Sequence, residues 1–119
     1  MDDTISELCQ EYAEFVEQRD WSRFHTPQNL AMAISIESNE LLEEFLWFNN
    51  PASEEVQKDD DLVDAVSDEL ADVVIYALGM ANQLDIDLAQ AVEEKMAENE
   101  ERFDEETAEE ISADLDEWQ

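Results

Sequence analysis

Apolar positions in this chain recur with a spacing near 3.6 residues, the period of a helix with one buried face. Ile5, Leu8, Cys9, Tyr12, Phe15 and Val16 form the first such stripe and predict a helix from Thr4 to about Arg19. Thr4-Ile5-Ser6-Glu7 reads as its capping box. Trp21 to His25 breaks the pattern and is expected to be a short non-helical connector. Thr26, followed by Pro27, opens a second helix that should run to about Phe48 and stop at Asn49-Asn50-Pro51. Ser53 to Lys58 reads as a helical turn. A third helix, from about Asp61 to Gln83, is apolar over the widest arc and is expected to be central. Asp87 can cap a fourth helix reaching about Arg102. Beyond Phe103 only Ile111, Leu115 and Trp118 keep the spacing, as a weak amphipathic helix.

The breakers agree. One glycine (Gly79) and two prolines leave little material for β-turns, so the fold class is all-α. The expected division is a helical domain over residues 1–103 and an acidic tail over 104–119. At 119 residues and 44% apolar content the chain can bury a core.

Charge changes the picture of the surface. Thirty-five acidic residues against five Lys and Arg give a formal net charge of −30. The acids are spread along the chain, which reads as a solvated acidic surface of the halophilic type, its repulsion screened by a salt-loaded cytoplasm. With no basic patch, nucleic acid and anionic membranes are not expected as partners. Cys9 is alone, so no intrachain disulfide forms, as expected of a cytoplasmic protein. The chain has neither a signal peptide nor an apolar run long enough to span a bilayer.

Within the apolar arcs lie two acidic pairs, Glu37-Ser38-Asn39-Glu40 and Glu69-Leu70-Ala71-Asp72. On a helix, residues three apart are separated by roughly 60°. Measured from Leu30, Glu37 and Glu40 fall at about 340° and 280°; measured from Leu62, Glu69 and Asp72 fall at the same angles. Leu30, Ile34, Leu41 and Phe45 flank the first pair, and Leu62, Val66, Val73 and Ala77 the second. Two helices packed through these faces would gather four carboxylates at the edge of a core, where an uncompensated charge is costly. That arrangement suits a hard divalent cation, magnesium first. Glu44 shares the face of Glu37 and Glu40 and is a further candidate ligand.

Most acidic pairs in such a composition are merely solvated; these differ by their apolar flanks. A single glycine cannot build a phosphate-binding loop, so phosphates would be held through metal and a few bases. Lys95, Asn99 and Arg102, spaced i, i+4 and i+7, share one helix face. They read either as stabilisers of a helix C-terminus or as an anion-binding group.

The order Trp-x-x-Phe-His, Glu-x-x-Glu, Glu-x-x-Asp and Lys-x-x-x-Asn-x-x-Arg-Phe, over about Trp21 to Phe103, resembles the MazG-like all-α nucleoside triphosphate pyrophosphohydrolases, in particular their dCTP pyrophosphatase branch. The resemblance implies a four-helix unit completed by oligomerisation, a homodimer or homotetramer. It implies Mg²⁺-dependent hydrolysis of a (deoxy)nucleoside triphosphate to monophosphate and pyrophosphate. Glu37, Glu40, Glu69 and Asp72 match its metal ligands, and Trp21, Arg23, Phe24 and His25 its nucleotide-contacting segment. Trp47 and Tyr76 match positions lining the base and sugar pocket. Lys95, Asn99 and Arg102 would hold phosphate, and Glu40 is the candidate for orienting the attacking water. At Tyr12, where that branch often carries a second histidine, the chain departs from the pattern. Two other readings stay open: a non-catalytic acidic helical interaction module, and a different metal-carboxylate enzyme such as a phosphatase. A di-iron bundle is disfavoured, because His25 belongs to no Glu-x-x-His pair.

Overall fold

The computed structural model of the chain describes residues 3–117. Its helices are α1 (Thr4–Gln18), α2 (Pro27–Glu43), a short α3 (Ser53–Gln57), α4 (Asp60–Gln83), α5 (Leu88–Arg102) and α6 (Glu105–Glu117). No strand occurs among the described residues. The all-α expectation holds: besides the four longer helices, the helical turn expected from Ser53 is α3 and the weak amphipathic helix expected beyond Phe103 is α6.

Much of the acidic composition is used at helix starts, where a carboxylate satisfies free N–H groups and meets the positive end of the helix dipole. Asp59 and Asp87 accept the Leu62 and Gln90 N–H groups, each at 3.1 Å, and Asp104 accepts that of Thr107 at 2.8 Å. α1 starts at Thr4 as predicted, but its cap is Asp3, which accepts the Ser6 N–H at 2.7 Å. An aspartate one residue earlier displaces the weaker threonine cap. Thr26 caps α2 as expected, accepting the Asn29 N–H at 3.2 Å.

With glycine so scarce, the left-handed turns fall on Asp20, Asn50 and Asp85, at φ 54°, 47° and 51°. At the end of α1 the N–H groups of Asp20 and Trp21 return to the carbonyls of Glu17 and Val16. This is a Schellman closure with aspartate in the place glycine usually takes. The N–H of Ile86, bonded to the Ala81 carbonyl past Asp85, ends α4 in a similar way.

Two expectations need correction. Trp21 to His25 contains a 3₁₀ turn, Ser22–Phe24, and is not irregular. α2 ends at Glu43 and does not continue to Phe48; Glu44, Phe45, Leu46 and Phe48 bond back only three residues. In that tighter winding side chains three apart eclipse, which brings the Phe45 and Phe48 rings edge to face with centroids 6.4 Å apart.

The chain forms two compact units, Met1–Ile86 and Asp87–Gln119. In the first, α4 is central and packs on α2, α1 and α3. Val16, Leu30, Leu62, Leu78 and Ala81 are its buried apolar side chains. Gly79 allows the close approach. A Cβ there would lie 3.1 Å from Tyr12 Cε2 and 3.4 Å from Leu30 Cδ2, so α1 and α2 both press against this point of α4. Asn82 also ties α4 to α1, donating from Nδ2 to the Cys9 carbonyl at 2.9 Å. Of the stripe predicted for α1, Val16 is buried, whereas Leu8 and Phe15 stay largely exposed. The second unit consists of α5 and α6, and none of its described residues is buried. Trp118 lies outside the described residues. No helix among those described is long and apolar enough to cross a membrane.

Candidate active site

The matched registers of α2 and α4 carry the carboxylates. Leu30 and Leu62 are buried, and Ile34, Leu41, Val66 and Val73 are half-buried, so the flanking residues form the seam between the helices. Glu37, Glu40 and Glu69 come together at this seam. Each offers one carboxylate oxygen, and the three oxygens lie within 4.8 Å of one another. Glu37 Oε2 and Glu69 Oε2 are shielded from solvent and have no hydrogen-bond partner. A carboxylate oxygen can only accept, so a buried one without a donor is an incomplete arrangement.

The electrostatics report the same crowding. Glu37 has its pKa pushed up to about 7, first by a proton shared with Glu40, then by burial, and further by the charges of Glu40 and Asp72. Burial also raises Glu69; the charges of Glu40 and Asp72 add to this, and its hydrogen bond with Glu37 opposes it. Negative charge at this density favours retention of a proton or capture of a cation. Oxygen-only donors, closely spaced and partly dehydrated, fit a hard divalent ion. Glu37, Glu40 and Glu69 would hold it.

Asp72 is not in the three-oxygen group, though its charge reaches it. It lines an adjoining cavity of about 470 Å³ together with Tyr12, Phe15, Trp21, Ile75 and Tyr76. Sequence reasoning named Trp21, Asp72 and Tyr76, and the fold brings all three to this cavity. Tyr12, a member of the α1 stripe at the position where the resembled branch often carries a histidine, lines it too. Its hydroxyl lies 3.0 Å from His25 Nε2, while His25 Nδ1 is 2.9 Å from the Trp21 carbonyl oxygen. Nothing in a helical stripe signals such a contact, because it joins α1 to the following turn through the tertiary fold.

Other candidates are placed differently. Glu44, the cap of α2, is outside the carboxylate group. Arg23 pairs loosely with Asp20 at 3.9 Å and lies over the Phe24 ring. Trp47 is 91% exposed, beyond the end of α2, and does not line the cavity. Lys95, Asn99 and Arg102 lie on α5 in the second unit, where Lys95 pairs with Glu98 at 3.4 Å and Arg102 lies over Phe103.

Known proteins resemble this chain in sequence and fold. The MazG-like family profile matches residues 32–117, from within α2 to the end of α6. dCTP pyrophosphatase 1 of Rattus norvegicus is 36% identical over 102 residues, and that of Homo sapiens 35% over 100. Each match takes in 84% of this chain, and the chain spans 59% of the length of these relatives. The crystal structure of a pyrophosphatase from Archaeoglobus fulgidus superposes with a TM-score of 0.76 at 37% identity, covering 88% of this chain and 96% of that one. Its carboxylate-bearing helix pair, its sequence and its fold lead to one conclusion: the chain belongs to the MazG-like family.

Proposed function

We propose that this protein hydrolyses a (deoxy)nucleoside triphosphate to the monophosphate and pyrophosphate, with Mg²⁺ held by Glu37, Glu40 and Glu69. The observation that carries the reading is the trio of carboxylate oxygens within 4.8 Å, two of these residues having a buried oxygen without a partner. The similarity to dCTP pyrophosphatases and to a pyrophosphatase supports it. Magnesium coordinates octahedral oxygen sets and keeps places for substrate phosphate and water, which a cluster of this size leaves open.

When bound, the ion neutralises phosphate charge and lowers the pKa of water near it. The chain's own residues do the rest. Water adds across the α–β phosphoric anhydride, forming one P–O bond as another breaks, and pyrophosphate leaves. Glu40 orients the water and accepts its proton. Asp72 contributes charge beside the cluster, and Trp21 and Tyr76 wall the space for base and sugar. Arg23, Phe24 and His25 belong to the nucleotide-contacting turn. Lys95, Asn99 and Arg102, on one face of α5, form a candidate phosphate-binding group of the second unit.

A second copy of the chain, in a homodimer or homotetramer, completes the site. Trp47, Leu42 and Leu46 are 91%, 68% and 65% exposed, a concentration of apolar surface that monomers rarely leave uncovered. The protein acts in the cytoplasm, where its acidic surface is screened by salt.

The test is a panel of nucleoside and deoxynucleoside triphosphates with Mg²⁺, scored for the first phosphorus product. Pyrophosphate is expected. Orthophosphate as first product would sink the reading in favour of a phosphatase, and no product at all would favour a non-catalytic acidic helical module.

A further inference from the structure

α6 is a helix that much of its own charge opposes. Measured from Ile111, Thr107, Ala108 and Leu115 all lie within about 60° around the helix, so the four form one stripe. The seven acidic residues between Glu105 and Glu117 occupy the remaining surface and border the stripe on both sides. Glu105 and Glu109, Glu106 and Glu110, and Glu110 and Asp114 are like-charge neighbours one turn apart, which disfavours the helix. Asp116 and Glu117 put further negative charge at the negative end of its dipole. The Asp104 cap and the acids of the first turn favour the helix, and they act only at its start.

Packing does not make up the difference. Thr107 is half-buried and every other residue of α6 is exposed, Ile111 to 39% and Leu115 to 60%. Neither ion pair among the described residues involves α6. A helix of 13 residues with this balance is marginal in water without a partner.

The charges define what can cover it. An apolar stripe buries against an apolar surface, and its acidic borders need lysine or arginine opposite them. The chain has few to offer. Arg19 and Arg102 lie over the Phe15 and Phe103 rings, Arg23 pairs with Asp20 and Lys95 with Glu98, which leaves only Lys58 of the five. A second copy of the chain brings the same formal charge of −30 and would set acid against acid.

We propose that α6 is a docking helix for a different protein, one that presents an apolar strip bordered by lysine or arginine. Ile111 and Leu115 enter the strip, and Glu110 and Asp114 face the bases beside it. Docking and completion of the helix are coupled, because the partner's positive charge removes the repulsion that opposes α6. Docking through α6 does not require the chain to be an enzyme.

The probe is a synthetic helix with a leucine stripe bordered by lysine; a peptide of the same composition in scrambled order is the control. Dissociation constants for both are measured on the full chain over a range of salt concentrations. The striped peptide should bind about tenfold or more tightly than the scrambled one, weaken as salt rises, and slow hydrogen exchange at the Ile111 and Leu115 amides. Ile111→Ser combined with Leu115→Ser should remove that advantage. Glu110→Gln combined with Asp114→Asn separates docking from helix stability. Relieved of repulsion, α6 should exchange more slowly in the unbound chain, yet bind the striped peptide several-fold more weakly. Equal affinity for the two peptides, or affinity indifferent to the α6 variants, would mean that the chain acts as a general polyanion, and the proposal falls. Sedimentation of the unbound chain supplies the other decisive outcome. A mass that drops when Ile111 and Leu115 are replaced would show that a second copy covers the stripe, and overturns the proposal as well.

Discussion

Glu37, within α2, and Asp104, just before α6, are both carboxylates of an acidic chain, and the fold shifts their pKa values in opposite directions. Asp104 precedes α6 and accepts the Thr107 N–H, a hydrogen bond to the charged form that lowers its pKa. Glu37 has no such donor; it shares a proton with Glu40, is partly dehydrated, and is raised to about 7. One carboxylate stabilises the local structure by being ionised. The other is held in an environment that resists ionisation. The difference separates two kinds of acid in a chain with 35 acidic residues: caps that hold an N–H donor, and Glu37 and Glu69, whose shielded oxygens have none.

The largest expected effect comes from removing the donorless charges. Glu37→Gln or Glu69→Gln should reduce Mg²⁺-dependent turnover on the order of 100-fold or more, the range over which changes around a metal site act. The same variants should melt higher than the parent in low salt without metal, because a repelled charge has gone. Glu105→Gln in α6 should alter neither property. Full activity in both cluster variants would place the metal elsewhere.

Divalent ion should sharpen the contrast next. A divalent ion that binds the folded site and not the unfolded chain contributes, at 100 times its dissociation constant, about 2.7 kcal/mol. Molar salt stabilises by a different route, screening repulsion to within about 3 Å. Both should raise the thermal midpoint of the parent, but in Glu69→Gln the magnesium increment should shrink while the salt increment persists. Equal increments in the two proteins would argue against a metal site.

A pH titration in low salt without metal should resolve Glu37 itself. Its proton is held to about pH 7 in the folded chain, against 4.5 for an unperturbed glutamate. Between those limits the native state binds more protons than the unfolded, so stability falls as pH rises through the window. Glu37→Gln should flatten that part of the slope and leave the remainder, which belongs to general charge repulsion. An unchanged slope would show that the proton resides on another group.

The smallest effect is reserved for the contrasting carboxylate. Asp104→Ala removes the cap of α6 and should speed hydrogen exchange at the Thr107 amide, with turnover unaffected. Loss of activity in this variant would mean that the start of α6 takes part in the site.

Local physics was legible in the sequence. Apolar spacing located the long helices, Thr26, Asp87 and the scarcity of glycine marked their ends, and the equal registers of Glu37-x-x-Glu40 and Glu69-x-x-Asp72 anticipated the meeting of α2 and α4. These are interactions between residues a few positions apart, which the covalent chain alone brings together. Contacts between distant segments were not legible. Two choices within a few residues also went unread: the three-residue bonding after Glu43, and Asp3 in place of Thr4 as the cap of α1. Only the folded chain decided that Glu37, Glu40 and Glu69 form the close trio while Asp72 turns to the neighbouring cavity. It also decided that Tyr12, one apolar position in a stripe, reaches His25 across the end of α1. Those outcomes depend on how three helices press together at Gly79, and a spacing along one helix carries no record of what packs against it.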